Sequence, residues 1–226
     1  MSPIQAGFLI FAFASPVLLW VLSRHLESER FARGICRCFA GALVAAYAGI
    51  VIELIHDGAF TFRYTMPMQL CDWALIATVA ALMLRRQTCF ELAYFWGFSG
   101  TLQALITPAL DVTTACREVG FFVIHSVIPA SVLWLMFEFK MRPQRGAFLR
   151  VVVWSEVYLV LALLVNSAAG TNYGFLMRRP DTRSLLDFFS DTHWLYVAQI
   201  NLTGIAFFLA LDLPWLIARR RAGAPG

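Results

Sequence analysis

Residues 119–139 read VGFFVIHSVIPASVLWLMFEF, a run of 21 residues in which Glu138 is the one carboxylate and no lysine or arginine occurs. An apolar stretch of about 20 residues is long enough to cross the roughly 30 Å hydrocarbon core of a bilayer as an α-helix. This run therefore predicts a membrane-spanning helix, and it carries a histidine, His125, within it.

Six further apolar runs of spanning length or close to it lie on both sides of the first. They fall at about 5–23, 35–55, 68–84, 90–108, 148–168 and 195–217. Hydrophobic residues make up 60% of the 226 residues and charged residues 14%, whereas soluble domains average about 45–50% and 25%. The composition excludes a water-soluble globule. We predict an all-α, polytopic membrane protein, a single domain of residues 1–226 that forms a seven-transmembrane-helix bundle.

The basic side chains are distributed unevenly between the two faces of this predicted bundle. Of the 18 lysines and arginines, 13 follow the first, third, fifth and seventh spans, and five lie in the alternate loops. The positive-inside rule then places the N-terminus outside and the C-terminus in the cytoplasm. Because these clusters suit lipid headgroups, the net charge of +4 indicates no nucleic-acid partner. The five cysteines imply no disulfide framework.

With this orientation, polar side chains gather in the outer half of the bilayer. Six of the seven spans contribute: Glu53, His56 and Asp57; Gln69, Cys71 and Asp72; Gln103, Thr107 and Asp111; His125 and Ser126; Asn166; and Gln199 and Asn201. Glu156 and Asp212 lie on the inner side. Polar groups inside a membrane are costly and mark a functional site by default. The long outer loop 169–194 adds Asn172 and Tyr173, and we expect a short interfacial helix in it.

A cysteine and a histidine in such a cluster favour nucleophilic catalysis, because an imidazole and a helix N-terminus both promote a thiolate. Cys71 follows Pro67, a residue common at the first helical position, which places the thiol about one turn into its helix. At about 1.5 Å per residue, His125 lies roughly 9 Å below the start of its span, shallow enough to meet Cys71. His56 is a second candidate base. Backbone N–H groups at the top of the third span, Asn172 or Gln103 could stabilise an oxyanion.

Two other classes of function use the same residues. His56, His125 and His193 with Glu53, Asp57 or Asp72 could hold a zinc ion that activates water, as in a lipid hydrolase. The polar cluster could equally line the outer cavity of a non-catalytic transporter or ligand-binding protein.

Four motifs in this chain resemble a known family. They are MPMQLC at residues 66–71, FWGFSGTLQAL at 95–105 with Pro108, FFVIH at 121–125, and NYGFL at 172–176 with Pro180. Together they resemble the YwaF-like family of bacterial integral membrane proteins, which is similar to the eukaryotic transmembrane protein 164 acyltransferases. The resemblance covers roughly residues 45–200. It implies a seven-span protein of the bacterial inner membrane.

The resemblance also implies an activity, which is transfer of a fatty acyl chain from a phospholipid to a lysophospholipid or ether lipid through a cysteine acyl-enzyme. The nucleophile then falls on Cys71 and its histidine partner on His125. The expected substrate-binding residues are Gln69, Asp72, Glu53, His56, Gln103, Asn172 and Tyr173. No metal and no soluble cofactor are expected, because a phospholipid donor already carries the ester that reacts.

Overall fold

The computed structural model of the protein describes residues 2–108, 114–182 and 184–222. Asp111 and Arg183 lie outside these ranges. Within them the regular structure is helical throughout, and no strand occurs. The α-helices are α1 (Pro3–Leu26), α2 (Glu29–His56), α3 (Phe62–Thr65), α4 (Leu70–Leu84), α5 (Gln87–Trp96), α6 (Leu102–Ile106), α7 (Ala115–Glu138), α8 (Ala147–Ala169) and α9 (His193–Ala222).

The described residues also include three short segments of other helical types. A π-helical segment, Gly97–Thr101, joins α5 to α6. The backbone stays in the right-handed helical region at both junctions, at Gly97 and at Leu102, so residues 87–106 form one continuous helix with a local widening. Two 3₁₀ turns, Tyr173–Phe175 and Leu185–Phe188, lie between α8 and α9. The second turn lies in the loop where the sequence predicted an interfacial helix.

Five of the helices are long and apolar enough to cross a membrane: α1, α2, α7, α8 and α9. The helix α4 is apolar but only 15 residues long, and residues 87–106 are divided by the π segment. The structure therefore confirms an all-helical protein with apolar spanning helices, while the count of seven spans and the orientation of the termini stay predictions.

The helix α7 is the centre of the bundle. It packs against α1, α2, α4, α5, α6 and the π segment. About 72% of its most apolar window is buried inside the protein, against 17% or less in the other four spanning helices. The outer helices expose large aliphatic side chains such as Ile10, Leu18 and Leu164. Such a surface suits acyl chains rather than water.

Capping side chains set several helix ends. Ser2 and Gln5 form a reciprocal capping box at the start of α1. Ser28 Oγ accepts a hydrogen bond from the Phe31 N–H, which starts α2 six residues before the predicted span. Charged residues in this first turn lowered the hydropathy there, yet a capped turn outside the bilayer tolerates them.

One end of the bundle, which we call the Cys71 end, is joined by polar contacts between helix termini. Gln5 Nε2 of α1 donates to the Leu105 and Ile106 carbonyls at the end of α6, at 2.7 and 2.9 Å. Arg117 at the start of α7 pairs with Asp57 after α2, at 2.8 Å. These bonds join α1, α2, α6 and α7 at the Cys71 end.

The opposite end is fixed by an ion pair between a buried carboxylate and a partly exposed arginine. Glu91 of α5 has no exposed surface. Its carboxylate accepts hydrogen bonds from Arg150 Nε and Nη2 of α8, both at 2.9 Å. Gln87 Nε2 and the Gln144 N–H also donate to it, at 2.8 and 3.1 Å. Four donors compensate for removing this carboxylate from water.

Candidate functional site

Cys71 is the second residue of α4, because Gln69 is the N-cap and the helix begins at Leu70. Pro67 lies before the cap rather than at the first helical position, so the prediction that the thiol lies one turn into the helix is corrected. The Asp72 carboxylate accepts a hydrogen bond from the Gln69 N–H at 2.9 Å. This cap places Cys71 among the unpaired N–H groups of a helix N-terminus, where the helix dipole favours an anion.

Backbone N–H groups surround the thiol at the start of α4. The Cys71 N–H lies within hydrogen-bonding reach of its own sulfur, and the Leu70 N–H lies within reach of Tyr158 Oη. The N–H of Asp72, which bonds the Gln69 carbonyl at 3.0 Å, also lies within hydrogen-bonding reach of the Cys71 sulfur. Donors in this arrangement can stabilise a thiolate or an oxyanion that forms next to it.

The turn after α8 is built around the buried amide of Asn166. Asn166 Oδ1 accepts from the Tyr173 N–H at 2.7 Å and from Thr171 Oγ1 at 2.8 Å, and its Nδ2 donates to the Tyr173 carbonyl at 3.0 Å. These bonds satisfy backbone groups that would otherwise be buried without partners. Asn166 therefore holds the polypeptide of the turn in one position.

This turn contacts the N-terminus of α4 directly. The Gly174 N–H donates to Gln69 Oε1 at 2.9 Å, and Tyr158 Oη donates to the Met68 carbonyl at 3.2 Å. Gly174 has φ +64°, and a Cβ there would lie 2.7 Å from Tyr158 Oη. Only glycine fits this close approach without strain. The loop after α8 and the Cys71 end of α4 thus form one packed unit.

Tyr173 joins the same turn to the short helix α3 by a hydrogen bond. Its ring is buried, and its Oη donates to the Arg63 carbonyl at 2.9 Å. Burial raises the pKa of the Tyr173 phenol, which keeps the hydroxyl protonated and able to donate this bond. Tyr173 was predicted to bind substrate, and in the structure it supports the turn beside Cys71.

His125 lies in the buried interior of α7. Its Nδ1 is 2.8 Å from the Phe121 carbonyl, one turn earlier in the helix, and its ring stacks on the Phe121 ring at a centroid distance of 3.9 Å. A carbonyl only accepts, so the proton is on Nδ1 and Nε2 is the basic nitrogen. The stacking fixes the direction in which Nε2 points.

Cys71 and His125 are not joined by a hydrogen bond in the described structure. The helix α7 begins at Ala115, four residues before the predicted start, because Thr114 caps it through a bond from the Arg117 N–H. His125 is therefore ten residues, or about 15 Å along the axis, from the first residue of its helix, and the first four of these residues precede the apolar run. Cys71 lies in the first turn of its own helix.

The π segment packs against the surroundings of both residues. A Cβ at Gly100 would lie 3.6 Å from Leu70 Cδ2, next to Cys71. A Cβ at Gly97 would lie 3.0 Å from Ile128 Cγ2, and Ile128 shares a helix face with His125, three residues away. The buried Thr101 Oγ1 has no hydrogen-bond partner in the described part of the chain. π-helical segments are frequent at functional sites.

Glu53 and His56 form a separate group with α7. Arg117 pairs with Asp57 at 2.8 Å and lies 3.8 Å from Glu53 Oε2. The His56 side chain is 88% exposed and faces Asp57 at 3.4 Å. These contacts hold the end of α2 against the start of α7.

The remaining candidates have local partners. Gln103 Nε2 donates to Thr107 Oγ1 of its own helical end at 3.3 Å. Glu156 Oε1 accepts from Asn201 Nδ2 at 2.9 Å, which joins α8 to α9. His193 Nε2 donates to the Leu176 carbonyl at 3.0 Å.

The zinc ligands suggested from the sequence are not assembled. Among the described residues there is no group of three or more His, Cys, Asp or Glu side chains that could hold a metal ion. His56, His125 and His193 contact different elements of the fold. The residues present therefore do not fit the zinc-hydrolase interpretation.

Sequence reasoning did not single out Tyr158, Gly174 or Thr101. Gly174 and Thr101 are inside the quoted motifs, yet a motif alone does not show a positive φ or an unpartnered hydroxyl. Tyr158 is in an apolar run, where a tyrosine is typical of packing.

The helical architecture, the apolar outer surface and the polar groups at one end define a helical membrane protein. Residues 1–211 match the TMEM164 family, and the chain belongs to that family. An uncharacterized protein of Treponema pallidum (strain Nichols) is 27% identical over 188 residues, which cover 78% of this chain and 76% of that protein. No solved structure matches.

Proposed function

We propose that the protein is a membrane-embedded phospholipid acyltransferase that moves a fatty acyl chain to a lysophospholipid or ether-lipid acceptor through an acyl-cysteine at Cys71. The observation that carries the proposal is the position of Cys71 at the N-terminus of α4, within an apolar bundle and beside a rigid polar turn. Family membership and the four motifs support it.

Cys71 is the proposed nucleophile. A helix N-terminus stabilises the thiolate, which is the reactive form of cysteine. The N–H groups of Cys71 and Asp72, which lie within hydrogen-bonding reach of Sγ, are the proposed oxyanion donors, because a carbonyl carbon attacked by Sγ carries its oxygen close to this first turn. Asp72 fixes the turn by capping Gln69.

His125 is the proposed general base, and Nε2 is the atom that accepts the proton. The bond from Nδ1 to the Phe121 carbonyl fixes this tautomer. Proton transfer requires Nε2 to approach the sulfur to within hydrogen-bonding distance, directly or through one water. The π segment contacts Leu70 and Ile128, so we propose that a shift of this segment on lipid binding brings the two groups together.

The reaction then proceeds in two halves. The Cys71 thiol loses its proton to His125, and the thiolate attacks the ester carbonyl of the donor phospholipid. The tetrahedral intermediate collapses, the C–O bond breaks, and the lysophospholipid leaves with the proton from His125. The acceptor hydroxyl then gives its proton to His125 and attacks the thioester, which forms the new ester and releases the Cys71 thiolate. His125 returns this proton to the sulfur, which restores the starting thiol and the neutral imidazole. No metal or soluble cofactor takes part.

The proposed setting is the inner membrane of a bacterium, with seven spans, the N-terminus outside and the Cys71 end facing the outer leaflet. The excess of basic residues at the opposite face supports this orientation. Donor and acceptor lipids would then reach Cys71 from the outer leaflet.

The test uses purified protein in nanodiscs with a phospholipid labelled in its acyl chains and an unlabelled lysophospholipid. We expect label to appear on the acceptor with the wild type and to be lost in Cys71→Ala, by at least about a thousandfold. His125→Gln removes the proposed base and should reduce transfer strongly as well. Cys38→Ala is the matched control, because Cys38 is an exposed cysteine of α2.

Intact-protein mass spectrometry reads the intermediate directly. We expect a mass increase equal to one acyl group in the wild type and in Cys38→Ala, and none in Cys71→Ala. Transfer that survives in Cys71→Ala would overturn the thiol mechanism. If the folded wild type turns over none of a panel of phospholipids, the proposed acyltransferase activity is overturned. A ligand-binding or transport role for the Cys71 end would then be favoured.

A further inference from the structure

A cleft of about 290 Å³ lies at the Cys71 end, between the loop after α8 and the start of α9. It is lined by Met177, Arg178, Arg179, Ser190, Asp191, His193 and Tyr196. We propose that this cleft binds the phosphodiester of a membrane phospholipid, with Arg178 as the principal contact. The inference rests on the proposed function, since it assigns the headgroup site of that reaction.

The backbone that carries Arg178 is fixed by Asn172. Asn172 Oδ1 accepts from the N–H groups of Met177 and Arg178 at 3.0 and 3.1 Å, and its Nδ2 donates to the Arg178 carbonyl at 3.0 Å. The Arg178 side chain is exposed and forms no ion pair with the described residues. A guanidinium on a fixed backbone, with no carboxylate partner among the described residues, is suited to bind a phosphate oxygen pair.

The rest of the cleft is also rigid. Arg179 pairs with Asp191 at 2.9 Å and also donates to the Phe189 carbonyl. Tyr196 Oη donates to the Phe175 carbonyl at 2.8 Å. These bonds occupy the guanidinium of Arg179. Arg178 therefore supplies the positive charge of the cleft that has no carboxylate partner among the described residues.

The surroundings of the cleft favour a lipid over a soluble phosphate. Phe188 is 85% exposed and Trp194 is 71% exposed, and Leu195 beside it is exposed as well. Aromatic side chains at the start of an apolar spanning helix are typical of the headgroup level of a bilayer. A phosphate that enters the cleft at this level would leave its acyl chains among these apolar side chains.

The cleft is also coupled to the reactive end of α4. Gly174, whose N–H bonds Gln69 at 2.9 Å, precedes the cleft residue Met177 by three positions. His193, which also lines the cleft, donates to the Leu176 carbonyl at 3.0 Å, directly after that turn. A headgroup bound at Arg178 would therefore be held by the same turn that packs against the N-cap of Cys71.

The first experiment measures binding without turnover, in a Cys71→Ala background, by native mass spectrometry with a short-chain phosphatidylglycerol. We expect Arg178→Gln to weaken binding by at least about tenfold. Arg178→Lys should retain part of the affinity, because lysine keeps the positive charge but lacks the two parallel N–H donors of the guanidinium. Arg220→Gln is the control, since Arg220 is an exposed arginine near the other end of α9. Equal binding by Arg178→Gln and the control would overturn the proposal.

Three competitors identify the source of the phosphate. Diacylglycerol with the same chains should compete poorly because it has no phosphate. Glycerol 3-phosphate and inorganic phosphate should compete only at far higher concentration than the lipid because they have no chains. Competition by diacylglycerol equal to that of phosphatidylglycerol would overturn the phosphate contact, and equal competition by inorganic phosphate would overturn the lipid as its source.

Transfer assays on the Arg178→Gln variant with intact Cys71 separate this proposal from the proposed function. We expect a raised KM for the donor lipid with a nearly unchanged kcat. Binding that depends on Arg178 in a protein with no transfer activity would support the cleft and overturn the acyltransferase. Transfer that depends on Cys71 but has an unchanged KM for the donor lipid in Arg178→Gln would support the acyltransferase and overturn the cleft as its headgroup site.

Discussion

Replacing Gly174 by alanine should destabilise the protein at the contact between the loop after α8 and α4. Gly174 has φ +64°, and the new Cβ would lie 2.7 Å from Tyr158 Oη. A left-handed conformation costs a residue with a Cβ about 1–2 kcal/mol. Moving the Tyr158 hydroxyl away breaks its bond to the Met68 carbonyl, which costs about 0.5–1.5 kcal/mol more. The expected loss in the free energy of unfolding is therefore about 1.5–3.5 kcal/mol.

Tyr158→Phe separates the two contributions. Alone, it loses only the bond to the Met68 carbonyl, about 0.5–1.5 kcal/mol. Combined with Gly174→Ala, it removes the oxygen that the Cβ meets, so the double variant should be no less stable than Gly174→Ala alone. The two changes are then non-additive, because both break the same hydrogen bond.

The assay is unfolding of the protein in dodecylmaltoside micelles by increasing SDS, followed by tryptophan fluorescence. Gly204→Ala is the control, because a Cβ there meets no atom within 4 Å and alanine stabilises a helix interior by about 0.5–1 kcal/mol. Wild-type stability of Gly174→Ala, or losses that simply add in the double variant, would refute the packing argument. Gly174→Ala should also slow acyl transfer, since the Gly174 N–H holds Gln69 beside Cys71.

Three further perturbations test the rest of the fold. Glu91→Gln removes the charge that pairs with the Arg150 guanidinium. Because the Arg150 side chain is 41% exposed and can be solvated by water, the free energy of unfolding in the same assay should fall by about 1–3 kcal/mol. Gly120→Ala places a Cβ 2.8 Å from Ile50 Cγ1, and the overpacking should cost about 1–3 kcal/mol, less if the isoleucine changes rotamer. Asn166→Ala removes three hydrogen bonds to the turn and should speed hydrogen exchange at the amides of residues 171–174 before it unfolds the bundle; unchanged exchange there would contradict the role given to this amide.

The sequence predicted the helices well where hydropathy alone decides them. The runs at 119–139 and 148–168 correspond to Ala115–Glu138 and Ala147–Ala169. It was less accurate where a cap adds turns outside the apolar run, as Ser28 does for α2. The π segment could not be predicted, since a one-residue widening leaves the hydropathy of residues 90–108 unchanged.

The candidate site was likewise predicted only in part from the sequence. The sequence grouped Cys71 with Gln69 and Asp72, and these neighbours do cap its helix. It could not reveal that Glu53 and Asp57 face Arg117, or that Asn172 and Tyr173 build the loop, because these depend on which helix ends meet. The start of α7 also depended on a cap, Thr114, that lies outside the apolar run.

The ion pair between the buried Glu91 and Arg150 has a consequence for how the chain is made. The two residues are 59 positions apart, which at about 5–20 residues per second corresponds to roughly 3–12 seconds of synthesis. During that interval Glu91 is synthesised but its arginine is not. Because a carboxylate without its counter-ion is costly in an apolar interior, we expect residues 87–106 to reach their final packing only when α8 arrives.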